Sequence, residues 1–388
     1  MLASLLGALP IGMLGLGVLL TVRSATGSFA AAGVASGALS IGNAIGLVPQ
    51  GSMIDRYGQT RVLVAGGLLC PAALVGFVAA TTLREPLPVS ALLAAVAGAS
   101  LPATTSSMRV LWPRLITDPA LRTTAYTVLA AQFQIAMVTG PLLVSALVLA
   151  GGPAAAVLVA AGFAGAGGLI FAAAPASRRS YRPRAAPAAV PRRWLGAGMY
   201  TLLAAAFAAG VASGLMTVTV PAVAAAHRST ALAGLLFAAL SAGELLGGLA
   251  YGARAWRLPT VRRLVLGQAA AALCIGGLAC LTGTAAGMFV AMVTVGACLA
   301  PTAIASSALL DDLVPSGSLA RAYTVMVAVG LLGIAAGSAS GGTLGAALGA
   351  RPVLLFAAGV FGVATLWTVV RIHTVPTPAV IAASSGVR

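Results

Sequence analysis

The sequence predicts an all-α membrane protein in which twelve transmembrane helices form two pseudo-symmetric six-helix bundles. Three observations carry this expectation. Hydrophobic residues make up 60% of the 388 positions and charged residues 7%, whereas a soluble chain covers its surface with about a quarter charged residues. The chain must therefore use lipid as a solvent. Twelve apolar segments follow one another, each long enough to cross about 30 Å of hydrocarbon as a helix. The two halves also repeat each other in sequence.

The segments fall at 2–21, 28–49, 62–82, 88–111, 124–149 and 153–175, then at 195–220, 231–253, 263–282, 287–310, 322–347 and 352–371. Lipid-facing backbone must satisfy its own hydrogen bonds, so each segment is read as a helix. The opening run MLASLLGALPIGMLGLGVLL lacks a basic leader and reads as a retained first span. All 22 basic residues are Arg. Placing the N-terminus in the cytoplasm puts 18 of these 22 on the inner side and leaves only Arg23, Arg84, Arg228 and Arg351 outside. That asymmetry predicts a multi-pass plasma-membrane protein with both termini cytoplasmic. Dispersed in short loops, the charge of +16 sets topology and forms no groove for nucleic acid.

Residues 176–194 differ in kind. They carry six arginines together with Pro183, Pro187 and Pro191, and read as a cytoplasmic linker on anionic headgroups. The domains expected are thus 1–175, the linker 176–194, a second bundle 195–371 and a tail 372–388. Across the linker, LSIGNAIG at 39–46 aligns with LSAGELLG at 240–247, an offset of 201. AYTV at 125–128 aligns with AYTV at 322–325, and Gly140 with Gly337, at an offset of 197. Parallel repeats of six spans point to a transporter.

Between spans 2 and 3 lies Gly51-Ser-Met-Ile-Asp55-Arg56-Tyr-Gly58-Gln-Thr-Arg61. Placed in an inner loop of a twelve-span chain, it resembles the loop signature of the major facilitator superfamily. The resemblance covers the whole chain. It implies alternating access, with Gly51, Asp55, Arg56, Gly58 and Arg61 acting as a conformational latch toward the start of span 11, near Ser318 to Ala322. The second copy, Gly252 to Arg262, keeps glycine and both bases but has Trp256 in place of the acid. Span 5 carries Gly140-Pro141, a looser resemblance to the signature of bacterial, actinobacterial-type drug and metabolite efflux members, although the trailing glycines are missing. A Gly-Pro pair bends a membrane helix and admits close packing. Span 11 carries Gly333, Gly337, Gly341, Gly345 and Gly349, read as one ridge of small residues.

Glu244 is the one acid well inside a span, about 20 Å from its outer end at 1.5 Å per residue. A carboxyl there is costly to charge, which suits a group that takes up and releases a proton; a protonated Glu bonded between helices is the alternative. Asn43 holds the matching position in span 2. Asn43, Gln132 and Gln134 are candidates for the substrate cavity, with only one of the two glutamines able to face it. Thr104, Thr105, Ser106 and Ser107 are expected to bond back to helix carbonyls in part, and Arg109 follows near the inner end. Cys70, Cys274, Cys280 and Cys298 read as small buried hydrophobes. His227 and His373 have no ligand-spaced partners, and no catalytic or metal motif occurs. The expectation is a monomeric, cofactor-free secondary transporter in contact with lipid and a small-molecule substrate. It would draw on the proton gradient to export a small apolar or amphipathic compound. Uptake of a neutral solute such as a sugar, or a non-transporting sensor, are the alternatives.

Overall fold

The structure is a computed structural model that describes residues 2–105, 107–108, 111, 118–179, 196–229, 231–315 and 318–371. The tail with His373, Ser106, Arg109 and most of the linker lie outside the described residues. Among those described, twelve helices of fourteen or more residues appear, and eleven are long and apolar enough to cross a membrane. They are α1 Leu2–Thr26, α2 Phe29–Tyr57, α3 Gln59–Thr82, α4 Leu87–Ser100, α5 Pro119–Gly151, α6 Pro153–Ala173, α7 Ala197–Ala226, α8 Leu232–Gly252, α9 Thr260–Cys280, α10 Ala285–Leu313, α11 Leu319–Leu348 and α12 Ala350–Val370. A single short helix, Pro175–Arg179, opens the linker.

Every predicted span coincides with a helix, but α4 is shorter than expected. It stops at Ser100, and Leu101 takes φ −57°, ψ 120°. The cause is Pro102, which disfavours helical geometry in the residue before it. Prolines elsewhere, such as Pro10, Pro71 and Pro141, are accommodated inside continuous helices.

The helix joints are tight. Gly27, Gly58, Gly152 and Gly349 turn the chain with φ between 72° and 84°, a region closed to most L residues. Gly152 and Gly349 stand at the α5–α6 and α11–α12 joints, so the repeat extends to its turns.

Packing repeats as well. A Cβ on Gly42 or Gly46 of α2 would strike the Ala95 or Ala99 carbonyl of α4. One on Gly243 or Gly247 of α8 would strike the Val293 or Ala297 carbonyl of α10. From the opposite side, Gly98 faces the Asn43 amide nitrogen and Gly296 the Glu244 amide nitrogen, each at 2.9 Å from a Cβ position. Asn43 and Glu244 therefore occupy equivalent sites in three dimensions. Small residues at these crossings let backbones touch, which in lipid replaces the hydrophobic drive for helix association.

Large apolar side chains such as Leu149, Leu273 and Val363 point outward, as a lipid-facing surface requires. The α11 glycines divide in function, contrary to the single ridge expected. Gly333, Gly337 and Gly341 pack against α7, Gly345 meets no described atom within 4 Å, and Gly349 serves the turn. Nor are the cysteines uniformly buried. Cys70 is, Cys280 is exposed at the end of α9, and the Cys274 and Cys298 sulfurs lie 3.5 Å apart between α9 and α10.

Candidate functional site

Most contacts between the first six helices and the last six run along two seams, α2 with α11 and α5 with α8, with smaller ones from α1 and α2 to α7. In the α2–α11 seam, Gly33 lies against the Ser338 carbonyl, Gly37 against that of Ala335, and Gly342 against that of Phe29. In the α5–α8 seam, Gly234 lies against the Pro141 carbonyl and the Ser145 hydroxyl. Ser145 Oγ donates to the Ala231 carbonyl at 2.6 Å, and Gln134 Nε2 donates to the Ser241 carbonyl at 3.0 Å. The glycine approaches and the Ser145 bond sit in the half of each helix away from the Gly51–Arg61 signature, and the Gln134–Ser241 bond lies at mid-helix. Val218, Ala224 and Ala233 join the buried cluster of the first half at that same far end. Toward the signature end, Ile45, Val48, Leu246 and Leu249 are exposed. The described approaches between the halves thus lie at mid-helix and toward the far end.

The signature itself is not a loop. Helix α2 runs unbroken through Gly51, Asp55 and Arg56 to Tyr57, and only Gly58 is non-helical. Its φ of 84° explains the glycine, and its N–H caps α2 by donating to the Ile54 carbonyl at 3.0 Å. Gly51 has no described atom within 4 Å of a Cβ position, so no described helix packs against it. Arg56 and Arg61 are exposed, with the Arg56 guanidinium 6.0 Å from the Tyr57 ring centre. The Asp55 side chain lies outside what is described. Its expected counterpart at Ser318 to Ala322 is the start of α11, where Ser318 is buried, Arg321 is exposed and Ala322 packs among Leu309, Leu310 and Val314.

Immediately before the signature, Gln50 was missed by sequence reading. Its Nε2 donates to the Ala99 carbonyl at 2.8 Å and the Leu101 carbonyl at 3.1 Å. These carbonyls lie where Pro102 ends α4, so Gln50 satisfies acceptors that a continuous helix would have satisfied. Beyond the break, Thr104 and Ser107 are buried, yet their hydroxyls have no hydrogen-bond partner among the described residues. The return bonds expected of them are not made.

The second copy takes another shape. Helix α8 ends at Gly252, and the Trp256 indole N–H donates to the Tyr251 carbonyl at 2.8 Å. The Tyr251 and Trp256 rings lie 4.9 Å apart, Arg254 sits 5.1 Å from the Trp256 ring, and Arg263 donates to the Tyr251 hydroxyl at 2.8 Å. Trp256, where the first copy has its acid, ties down the end of a helix.

The intramembrane polar candidates separate likewise. Glu244 is half-buried in α8, one turn from the Ser241 carbonyl that Gln134 grips, and its carboxyl makes no hydrogen bond or ion pair with another described residue. Gln134 is thus committed to the α5–α8 seam. Gln132 is half-buried two residues earlier, and Asn43 is half-buried in α2. Glu244 and Gln134 are brought together; Asn43 stands on the other seam-forming helix. Gly140-Pro141 passes within a continuous α5. Gly140 packs against Gly12 of α1, with a Cβ position 2.8 Å from the Gly12 carbonyl carbon, while the Pro141 carbonyl faces Gly234. The pair serves as a contact surface on two sides.

Eleven membrane-length helices and the glycine-lined seams between them define a polytopic membrane protein. The profile of the Major Facilitator Superfamily matches residues 1–337, and the chain belongs to that family. No curated protein matches it in sequence. Among solved structures it is similar to the nucleoside transporter NupG, with TM-score 0.71 and 14% identity over 96% of this chain and 98% of that one. It is also similar to a bacterial homologue of the iron transporter ferroportin in an inward-facing state, with TM-score 0.72 and 16% identity over 95% and 96%. The human organic anion transporter MFSD10 follows, with TM-score 0.61 and 16% identity over 95% and 97%.

Proposed function

We propose that the chain is a proton-coupled secondary transporter that exports a small apolar or amphipathic compound by alternating access. The observation that carries this reading is Glu244, a carboxyl in the middle of α8 without a partner among the described residues, one turn from the Gln134–Ser241 bond. Proton uptake at Glu244 would remove a charge from the seam along which the halves must move. In this reading residues 1–175 and 195–371 are two six-helix bundles joined by the linker 176–194, and both termini are cytoplasmic in a bacterial plasma membrane. The signature end then corresponds to the open side of an inward-open state. In this reading Gly51, Asp55, Arg56, Gly58 and Arg61 form the conformational latch, and no described atom lies within 4 Å of a Cβ at Gly51. The latch would engage α11 when the signature end closes. Asn43 and Gln132 face the substrate path, and Gly140-Pro141 supports the α5–α8 seam.

Apolar side chains around the opening, with few charges to hold a charged nutrient, favour a lipophilic cargo. The test is accumulation of lipophilic fluorescent compounds by inverted vesicles from cells producing the chain. Accumulation that rises with an imposed proton gradient and collapses with an uncoupler supports export. Accumulation indifferent to the gradient refutes proton coupling, and labelled solute entering intact cells refutes the direction.

A further inference from the structure

A cavity of about 400 Å³ lies at the closed far end, apart from the polar groups of the transport path. Its walls come from both halves: Ser28 and Phe29 at the start of α2, Thr219 of α7, Gly342 and Gly345 of α11, and Ala350 at the start of α12. The volume suits a small organic molecule.

Three features give the cavity one electrostatic sense. The N-termini of α2 and α12 border it, and their first amide N–H groups have no acceptor within the helix. Ser28 Oγ accepts only from Ala31, which leaves the Phe29 and Ala30 amides free of a cap. Gly349 provides α12 with no side-chain cap. Second, Thr219 is 2% exposed, and its hydroxyl has no hydrogen-bond partner among the described residues. Third, the Arg23 guanidinium stacks 4.7 Å from the centre of the Phe29 ring, and its Nε is buried without a partner. No described acidic residue lines the cavity. The remaining surface is apolar, from Phe29, Val218, Ala222 and Ala346.

We propose that this cavity binds a small monocarboxylate with a compact apolar body. The carboxylate is received by the amides that open α2 and α12 and by the Thr219 hydroxyl, in the field of Arg23, and the apolar body fills the glycine-floored space. Because the walls belong to both halves, an occupant bridges them and holds the far end closed. The site stands independently of the transport reading and would act as a brake on the cycle.

The test is thermal unfolding of the purified full chain with phenylacetate, compared with neutral phenylacetamide and cationic phenethylamine. Phenylacetate is expected to raise the midpoint saturably while the other two leave it unchanged. Thr219→Val should weaken the apparent affinity at least tenfold. Gly345→Leu, which fills space where a Cβ meets nothing, should abolish the shift while the unliganded midpoint stays near that of the parent. Should the leucine variant not fold, Arg23→Gln serves in its place, with a loss of affinity expected. Equal shifts for all three probes, no shift with phenylacetate, or a shift untouched by the substitutions would each overturn the proposal.

Discussion

Gly33→Ala offers the most direct perturbation of the closed far end. A Cβ at position 33 would overlap the Ser338 carbonyl oxygen and stand 3.2 Å from its carbon and 3.4 Å from Val218 Cγ2. The obstructing atoms are mainly backbone, which cannot rotate away, so α2 and α11 must separate by a sizeable fraction of an ångström. Overpacking of this kind costs about 1–3 kcal/mol. The cost falls on the far-end-closed state alone, because the seam opens when the halves rock. At about 1.4 kcal/mol per factor of ten, the population ratio should move roughly five- to 150-fold toward the far-end-open state. Gly37→Ala, with its Cβ 2.9 Å from the Ala335 carbonyl oxygen, should produce a smaller shift of the same sign. Gly345→Ala meets no described atom within 4 Å and should produce none. The assay is electron–electron distance measurement between spin labels at the exposed residues Thr26 and His227, in a background with the native cysteines replaced. A longer-distance population that grows from Gly345→Ala through Gly37→Ala to Gly33→Ala is expected. An unchanged distribution in folded Gly33→Ala protein would refute the assignment of this seam as the moving contact.

Other outcomes follow from the same geometry. Gln50→Leu strips the Ala99 and Leu101 carbonyls of their donor and should destabilise the chain by about 1–3 kcal/mol, read as a lower unfolding midpoint; an unchanged midpoint would mean that water replaces the amide at no cost. Trp256→Ala removes the bond to Tyr251 and the stacked Arg254, so thermal stability should fall while alternating access persists, which transport by the purified variant in proteoliposomes would check. Asp55→Asn, which removes the charge of the signature acid and keeps its shape, should slow transport severalfold. Unaltered transport would reduce the signature to a topology anchor.

Much of this architecture is legible in the sequence because lipid enforces a simple grammar. Apolar length marks the spans, arginine placement the expected orientation, and the 201-residue offset the equivalence of Asn43 and Glu244, which the α2–α4 and α8–α10 crossings reproduce. The misreadings arise where local polarity and local structure part company. Residues 51–57 look like a loop by composition, but helix propagation carries α2 through them until Gly58 makes the turn. Pro102 ends α4, whereas Pro141 does not end α5, and only the surrounding contacts separate the two cases. Gln50 carries a signal that could have been read, since an amide in an apolar helix immediately before a polar signature needs partners. Its acceptors lie about fifty residues away, beyond the reach of periodicity. The far-end cavity left no motif at all, being assembled from helix starts and glycines.

The central claim is that Glu244 couples proton movement to transport, and one measurement isolates it. Purified Glu244→Gln protein in proteoliposomes should still exchange labelled substrate across the membrane when no gradient is imposed, because a neutral amide mimics the protonated carboxyl. The same vesicles should fail to concentrate substrate when a proton gradient is imposed, while the parent chain concentrates it. Gradient-driven accumulation that survives unchanged in Glu244→Gln would contradict the account.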